Sequence, residues 1–234
     1  MDTDMRLMAV ELLSAYKKIL KYRDLENLTG LTAPGLWRYI NKRIRPTKER
    51  SLELFEVLTN QRVIEEILKD RLVEVDNIIS LSMIIDEIPI LKILSYVIFK
   101  EFHRYDIDAV VTVEVDGIPL GVMAADVLDS KLVIVRRRPE IGVKEYRQVS
   151  YIARDPPAVV SLFMPSDALK AGDRVLIVDD LLNSGRTSSA LVKLIRMSGA
   201  TPVGLFSIVA IGERWREQIE NEIDKIYIVL KVSR

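Results

Sequence analysis

The stretch VLIVDDLLNSGRTSSAL, Val175 to Leu191, gives the clearest indication of the fold of the second half of the chain. It begins with four apolar residues, most of them β-branched, which indicate a buried strand of a parallel sheet. Two adjacent carboxylates follow, Asp179 and Asp180, and then a small polar loop that leads into a helical pattern. Open α/β sheets bind ligands at the carboxyl ends of their strands. The stretch therefore predicts a ligand site.

The residue types in this stretch suit a phosphorylated sugar. Two carboxylates can accept hydrogen bonds from neighbouring sugar hydroxyls. The loop N–H groups, the helix dipole and the close approach allowed by Gly185 favour a phosphate. A strand-end Asp-Asp pair also fits a Mg²⁺ site or a helix cap. We predict that Asp179 and Asp180 bind sugar hydroxyls and that a phosphate is bound by Asn183, Ser184, Gly185, Arg186, Thr187 and Ser188.

Composition excludes several other chemistries. The chain has 234 residues, 49% of them hydrophobic, which suits one large domain or a medium domain with a small one. It has no cysteine and a single histidine, His103. A disulfide framework, a cysteine-based zinc site, a multi-histidine metal site and most Ser-His or Cys-His machinery are therefore excluded. No signal peptide or membrane span is recognisable, so we expect a soluble cytoplasmic protein without membrane partners.

The N-terminal part differs from the rest in charge and in periodicity. Residues 5–58 show apolar residues at helical spacing, broken by turns of a few residues. From Lys17 to Arg50 there are ten basic and three acidic residues, so this segment carries +7 while the whole chain is neutral. Such asymmetry favours a polyanionic partner for the N-terminal part. We predict a helical domain over residues 1–60, a linker over 61–75 and a second domain over 76–234.

The second domain alternates two patterns. Helical patterns at residues 88–105, 117–129 and 185–199 lie between short runs rich in β-branched residues. Those runs occupy residues 108–115, 131–137, 159–165, 173–180, 201–211 and 225–232. Alternation of this kind predicts an α/β domain with a mainly parallel sheet and helices on both faces.

The segment Leu25–Leu58 resembles the helix-turn-helix of the Cro/repressor superfamily. It has a helix that ends in Gly30, a turn, a second helix with Thr32 at its N-cap, a basic loop, and Pro46 at the start of the next helix. In that superfamily the second helix enters the major groove. The resemblance implies that Leu36 and Ile40 pack inward and that Thr32, Ala33, Gly35, Trp37 and Arg38 face double-stranded DNA, with Lys42, Arg43 and Arg45 near phosphates.

Two other interpretations of this segment stay open. Its charges could be solvated on a helical dimerisation or lid domain, although the absence of acidic residues across Lys42–Lys48 counts against this. Trp37 could be packed in a core, as most tryptophans are.

Residues Val175–Thr187 resemble the 13-residue signature of the type I phosphoribosyltransferases, and the resemblance extends over residues 76–234. It implies a type I phosphoribosyltransferase fold in which the acidic pair binds the ribose hydroxyls of phosphoribosyl pyrophosphate (PRPP) or of a nucleotide, and the loop that follows the pair binds the 5′-phosphate. It also implies a pyrophosphate loop and a flexible loop that closes over the site, here within Arg136–Asp155. The pyrophosphate loop comprises Glu114, Val115, Asp116 and Gly117, and the candidate flexible-loop ligands are Arg136, Arg137, Arg138 and Lys144.

One departure from the family bears on catalysis. Many members have Arg or Lys before the glycine of the pyrophosphate loop, whereas this chain has Asp116. A carboxylate repels pyrophosphate unless Mg²⁺ bridges them, so Mg²⁺ is expected only as a companion of PRPP and no direct metal ligands are predicted. The basic residues after Val135 also fit an exposed hairpin. Trp215 fits either a base-stacking residue of the hood or a core residue.

The fusion of these two modules resembles purine-repressor-type regulators and archaeal regulators similar to orotate phosphoribosyltransferase. It implies a homodimeric DNA-binding transcription regulator of nucleotide metabolism whose effector is PRPP or a purine nucleotide. The alternative is an active Mg²⁺-dependent purine phosphoribosyltransferase that converts a free base and PRPP to nucleotide and pyrophosphate. A third possibility, an interaction module with a vestigial pocket, is disfavoured by the intact residues 179–187. The sequence favours the regulator over the enzyme.

Overall fold

The computed structural model describes residues 4–75, 78–154 and 157–233 and divides into two compact units, Met1–Lys100 and Glu101–Arg234. The helices are α1 Met5–Ile19, α2 Tyr22–Thr29, α3 Ala33–Ile40, α4 Lys48–Leu58, α5 Gln61–Lys69, α6 Ser82–Ile85, α7 Ile88–Phe102, α8 Ile118–Leu128, α9 Arg186–Met197 and α10 Arg216–Ile219, with a 3₁₀ turn at His103–Tyr105. The strands are β1 Val73–Val75, β2 Ile78–Ser80, β3 Ala109–Val113, β4 Lys131–Val135, β5 Tyr146–Arg154, β6 Pro157–Pro165, β7 Arg174–Leu182, β8 Thr201–Ile211 and β9 Lys225–Val232.

The first unit starts with the predicted run of short helices. Helix α2 ends at Gly30, whose φ of 67° allows the left-handed turn into α3. Thr32 is the N-cap residue of α3, but its side chain makes no capping bond; the Glu26 carboxylate of α2 accepts the Ala33 N–H instead, at 2.6 Å. Pro46 precedes α4 by two residues rather than starting it, and Thr47 caps that helix through the Arg50 N–H at 3.2 Å.

The second unit is built on a five-stranded sheet in the order β4-β3-β7-β8-β9, and all four pairings are parallel. The central strands are buried on both faces: Val175 to Val178 have no exposed surface. Val111 and Ile177 share one core cluster with Leu191 and Leu194 of α9. On the opposite face, the Thr112 methyl group lies against Gly121 of α8. Helices therefore cover both faces, as predicted.

One predicted strand lies outside this sheet. Residues 159–165 belong to β6, which pairs with β5 in an antiparallel hairpin from Tyr146↔Pro165 to Arg154↔Pro157. Its run of β-branched residues could not distinguish a sheet strand from a hairpin strand, because both bury alternate side chains. Asp155, at the end of the predicted flexible loop, and residue 76, at the predicted domain boundary, lie outside the described residues. Within the described ranges, no helix combines the length and apolar character needed to span a bilayer.

The sheet predicts a stability effect at Gly204 of β8. A Cβ atom there would lie 2.6 Å from the buried Phe102 ring and 3.0 Å from Leu176. Gly204→Ala should lower the free energy of unfolding by about 1–3 kcal/mol, because neither neighbour has room to move. We expect thermal denaturation to show a melting temperature that is lower by about 2–4 °C for each kcal/mol lost.

Gly35→Ala is the matched control, since the nearest atom to its Cβ would be 3.5 Å away. A melting temperature of Gly204→Ala equal to that of the wild type would contradict the packing described.

Candidate functional site

Three segments of the predicted site meet at one edge of the sheet. Strands β3, β4 and β7 are parallel neighbours, so their carboxyl ends lie side by side. Residues Glu114–Gly117 follow β3, and the basic segment Arg136–Arg138 follows β4. Asp179 and Asp180 lie in the second half of β7. The predicted ribose-binding pair, pyrophosphate loop and first flexible-loop residues are thus brought together by the sheet.

The two carboxyl groups of the acidic pair are crowded and desolvated. Burial raises the pKa of Asp179 well above its usual range; the adjacent charge of Asp180 adds to the rise, and the positive charge of Arg137 opposes it. Burial is also the main cause of the raised pKa of Asp180, to which the charge of Asp116 contributes. The Asp180 N–H donates to the Asp179 carboxyl at 3.2 Å. The site therefore holds more negative charge than its surroundings neutralise, and it favours hydrogen-bond donors or cations.

The predicted phosphate loop leads directly into α9. Gly185 is the N-cap residue, with φ of 73°, and its carbonyl accepts the first intrahelical bond from the Ser189 N–H at 2.8 Å. The N–H groups of the three preceding helical residues therefore lie at the open end of the helix, where the helix dipole favours an anion. Asn183 and Ser184 are exposed, whereas the Ser188 side chain is fully buried. Ser188 can therefore contact a phosphate through its main-chain N–H but not through its side chain in this conformation.

The loop is held from behind by the segment after β8. A Cβ atom on Gly185 would lie 2.9 Å from the Trp215 carbonyl oxygen and 3.1 Å from Gln218 Cβ. Trp215 itself is only 3% exposed, belongs to the core cluster, and donates from its indole nitrogen to the Gly212 carbonyl at 3.0 Å. Trp215 is therefore a core residue that supports the phosphate loop, and it does not present its ring to a base.

Sequence reasoning missed the contact between the hairpin and the phosphate loop. The Tyr151 hydroxyl lies 2.9 Å from the Thr187 Oγ1, and the Arg186 guanidinium donates to the Ile152 carbonyl. Thus two consecutive residues of β5 hold two consecutive residues of α9. The sequence carries no signal for this contact, because it joins positions more than 30 residues apart through the register of the β5–β6 hairpin.

The predicted basic ligands of the flexible loop differ in their surroundings. Arg136 forms ion pairs with Glu114 at 3.5 Å and Glu140 at 2.9 Å. The Arg137 N–H donates to the Glu114 carboxylate at 2.7 Å, which ties the pyrophosphate loop to the end of β4. Arg138 and Lys144 are exposed and, among the described residues, make no ion pair. The structure thus brings the charge of Arg137 to Asp179 and pairs Arg136 with Glu114 of the pyrophosphate loop.

The predicted DNA-binding residues lie on one helix and the loop that follows it. Leu36 is fully buried and Ile40 is partly buried, as the helix-turn-helix resemblance implies, while Trp37 is 46% exposed and therefore not a core residue. Ala33 and Gly35 are half-buried. No ion pair of the basic residues in this surface occurs in the described part of the chain. The exposed members are Thr32, Trp37, Arg38, Lys42, Arg43 and Arg45.

Comparison with known proteins agrees with this fold. A family model described as "Phosphoribosyl transferase domain" matches residues 84–232. The chain belongs to the phosphoribosyl transferase domain family. Its phosphoribosyl transferase domain has the fold of the adenine phosphoribosyltransferase from Rhodothermus marinus, with a TM-score of 0.66 and 24% identity over 73% of this chain and 99% of that one.

Two curated relatives differ in what their names describe. The "Probable purine biosynthesis transcriptional regulator PurR" of Streptococcus pneumoniae is 34% identical over 165 residues, 68% of this chain and 59% of that protein. The "Hypoxanthine/guanine phosphoribosyltransferase" of Methanopyrus kandleri is 33% identical over 147 residues, 62% of this chain and 76% of that protein. This chain thus spans about three fifths of the length of the streptococcal regulator, and the phosphoribosyl transferase domain occurs in both regulators and enzymes.

The acidic pair predicts an unusual dependence of stability on pH. A carboxyl whose pKa is higher in the folded than in the unfolded chain, where it is about 3.9, destabilises the fold progressively as pH rises through the folded value. Asp179→Asn removes that charge and keeps the shape. We expect the unliganded variant to melt above the wild type at pH 8, and the difference to shrink as pH falls towards about 4.

Thermal denaturation of both proteins between these pH values checks this prediction. Asp167→Asn, which removes an exposed carboxylate outside the site, is the control and should leave the melting temperature almost unchanged. An Asp179→Asn variant less stable than the wild type at pH 8 would show that the buried carboxyl is well compensated.

Proposed function

We propose that the chain is a homodimeric DNA-binding transcription regulator of nucleotide metabolism whose phosphoribosyl transferase domain binds PRPP or a purine nucleotide as its effector. The DNA-binding domain occupies residues 1–60, a linker residues 61–75 and the ligand-binding domain residues 76–234. The observation that carries this proposal is the presence in one chain of an unpaired basic helix-turn-helix surface and a strand-end acidic pair beside a phosphate loop. The streptococcal regulator among its relatives supports the same conclusion.

The ligand half of the proposal rests on the chemistry of the acidic pair. Two desolvated carboxyls in contact have raised pKa values although the Asp180 N–H donates to Asp179, so their ionised forms need further hydrogen-bond donors. Ribose hydroxyls would supply such donors, and the open N-terminus of α9 would hold the 5′-phosphate. With PRPP, Mg²⁺ would arrive bound to the pyrophosphate and offset the negative charge of Asp116. These residues therefore fit a phosphoribosyl ligand.

The DNA half rests on charge and exposure. Arg38, Lys42, Arg43 and Arg45 are exposed and form no ion pair among the described residues, whereas Arg50 is paired with Glu53 at 2.8 Å. Unneutralised cations next to an exposed helix favour the phosphate backbone of DNA. In this proposal, the exposed Trp37 and the residues near the start of α3 contact base edges. Two copies of the chain would contact the two halves of a pseudo-palindromic site.

Gel-shift titration against the DNA upstream of the chain's own gene tests this proposal. Arg38→Ala combined with Arg45→Ala should weaken binding at least tenfold and reduce the slope of log affinity against log salt by about one to two, because each lost phosphate contact releases about one counterion fewer. PRPP should change the wild-type affinity by about 5-fold or more.

Arg50→Ala is the matched control, because Glu53 already neutralises this arginine, and its binding should equal that of the wild type. Absence of sequence-preferring binding by the wild type, with PRPP, with AMP and without ligand, would refute the proposal.

The electrostatics at the pyrophosphate loop favour a sensor over a catalyst. Asp116 is exposed at this loop, and its charge reaches Asp180. A phosphoribosyltransferase accelerates its reaction largely by stabilising the departing pyrophosphate. A carboxylate in this position opposes that stabilisation, while it leaves the ribose and 5′-phosphate contacts untouched. The relationship to a hypoxanthine/guanine phosphoribosyltransferase makes a purine transferase the alternative function.

A pyrophosphate-release assay decides between the two functions. With Mg²⁺-PRPP and each of adenine, hypoxanthine, guanine, xanthine, orotate and uracil, we expect no turnover above background, although PRPP binds. Asp180→Asn should abolish PRPP binding, which verifies that the ligand uses the predicted pocket. Asp116→Lys should tighten pyrophosphate binding because it replaces a repulsive charge with an attractive one. Robust turnover by the wild type with any base would establish the enzyme.

A further inference from the structure

We propose that Tyr151 is a positioning residue of the 5′-phosphate site, which orients the hydroxyl of Thr187 so that it donates to the bound phosphate. This inference rests on the proposed binding of a phosphoribosyl ligand at the phosphate loop. The observation behind it is the single hydrogen bond of 2.9 Å between the Tyr151 hydroxyl and the Thr187 Oγ1.

The direction of this hydrogen bond follows from the number of hydrogens. A threonine hydroxyl has one hydrogen to donate and two lone pairs that accept. A phosphate oxygen at the end of α9 can only accept from Thr187, so the threonine hydrogen is committed to the phosphate. The threonine oxygen is then free to accept the hydrogen of Tyr151. The resulting chain, from Tyr151 to Thr187 to phosphate, aligns both donors and polarises them in the same direction.

The tyrosine ring is held in a fixed position. Tyr151 packs against the core cluster of the second unit, which restricts the rotation of its side chain. The next residue, Ile152, accepts a hydrogen bond from Arg186 through its carbonyl oxygen. At the other end of β5, the Arg147 guanidinium donates to the Met197 carbonyl at the last residue of α9, at 3.1 Å. Strand β5 is therefore attached to both ends of α9.

These attachments assign a role to Arg186 as well. Its side chain is directed to the hairpin, so its contribution to phosphate binding comes from its main-chain N–H at the start of α9. A phosphate that engages Thr187 also fixes the partner of Tyr151. Occupation of the 5′-phosphate site is thereby transmitted to the β5–β6 hairpin, whose strand β5 lies within the predicted flexible loop.

The test is a double-mutant cycle with Tyr151→Phe and Thr187→Val, measured by calorimetric titration of Mg²⁺-PRPP into the full chain. Tyr151→Phe should weaken PRPP binding about three- to tenfold, the effect of one lost hydrogen bond. In the Thr187→Val background the same change should have no further effect, since the relay is already broken. Thr187→Ser, which keeps the hydroxyl, should restore the dependence on Tyr151.

Two controls separate this role from a general effect on the fold. Mg²⁺-pyrophosphate, which lacks the 5′-phosphate, should bind wild type and Tyr151→Phe equally. Tyr105→Phe removes a hydroxyl from a residue whose carbonyl contacts Arg174 at the opposite end of β7, and it should leave PRPP affinity unchanged.

The outcomes distinguish the two proposals. If the wild type binds PRPP and Tyr151→Phe binds it equally well, or if the two substitutions have additive effects, the role of Tyr151 is refuted and the ligand proposal stands. If the wild type binds neither PRPP nor AMP, the phosphoribosyl ligand itself is refuted, and the role of Tyr151 with it.

Discussion

The desolvation of Asp179 at the end of β7 is the constraint on which the site depends. Strand β7 lies between β3 and β8 and is covered by helices on both faces, so its residues Val175–Val178 are apolar and fully buried. The strand continues into Asp179, which is 8% exposed, and Asp180, which is partly buried. A carboxyl in such surroundings resists ionisation and destabilises the fold at neutral pH. A ligand that donates hydrogen bonds to it recovers that free energy, so the site gains affinity at the expense of the stability of the unliganded chain.

The phosphate loop obeys a second constraint, which is steric. Gly185 combines a left-handed backbone with van der Waals contact to the main chain of Trp215, and no other residue type satisfies both requirements. The segment after β8 therefore acts as the rear wall of the loop. The same packing buries the Trp215 ring. Trp215 lies in the segment expected to form a hood over the base, but its buried ring cannot stack on a base. A loop supported in this way presents its N–H groups in a fixed geometry.

In the proposed site, separate segments would recognise the sugar, the phosphate and the pyrophosphate, and this separation bears on catalysis. The acidic pair and the α9 terminus retain the residue types needed for ribose and 5′-phosphate, whereas the pyrophosphate loop carries Asp116 where an attractive charge would help the leaving group. Contacts with parts of the ligand that do not react stabilise the bound ligand and the transition state equally. They therefore support affinity but do not lower the barrier that separates the two. A pocket of this composition is suited to report the presence of a phosphoribosyl compound. In the proposed homodimeric regulator, ligand binding changes DNA affinity only if the ligand prefers one arrangement of the two DNA-binding domains.

Features that depend on a local pattern could be predicted from the amino-acid sequence alone. The β-branched run before Asp179, the glycine after α2 and the basic turn after α3 each follow from periodicity or turn chemistry, and they were sufficient to predict the parallel sheet, the helix-turn-helix and the edge where the site lies. The capping of α4 by Thr47 is a local feature of the same kind, because that bond is formed within one helical turn.

Contacts that join distant residues could be identified only from the folded structure. The capping of α3 by Glu26, the burial of Trp215 and Ser188, the pairing of residues 159–165 in a hairpin and the bond between Tyr151 and Thr187 all depend on which segments pack together. A periodic pattern states which face of an element is buried, but it carries no information about the partner that buries it. Hydrogen bonds across such packed surfaces therefore become visible only in three dimensions.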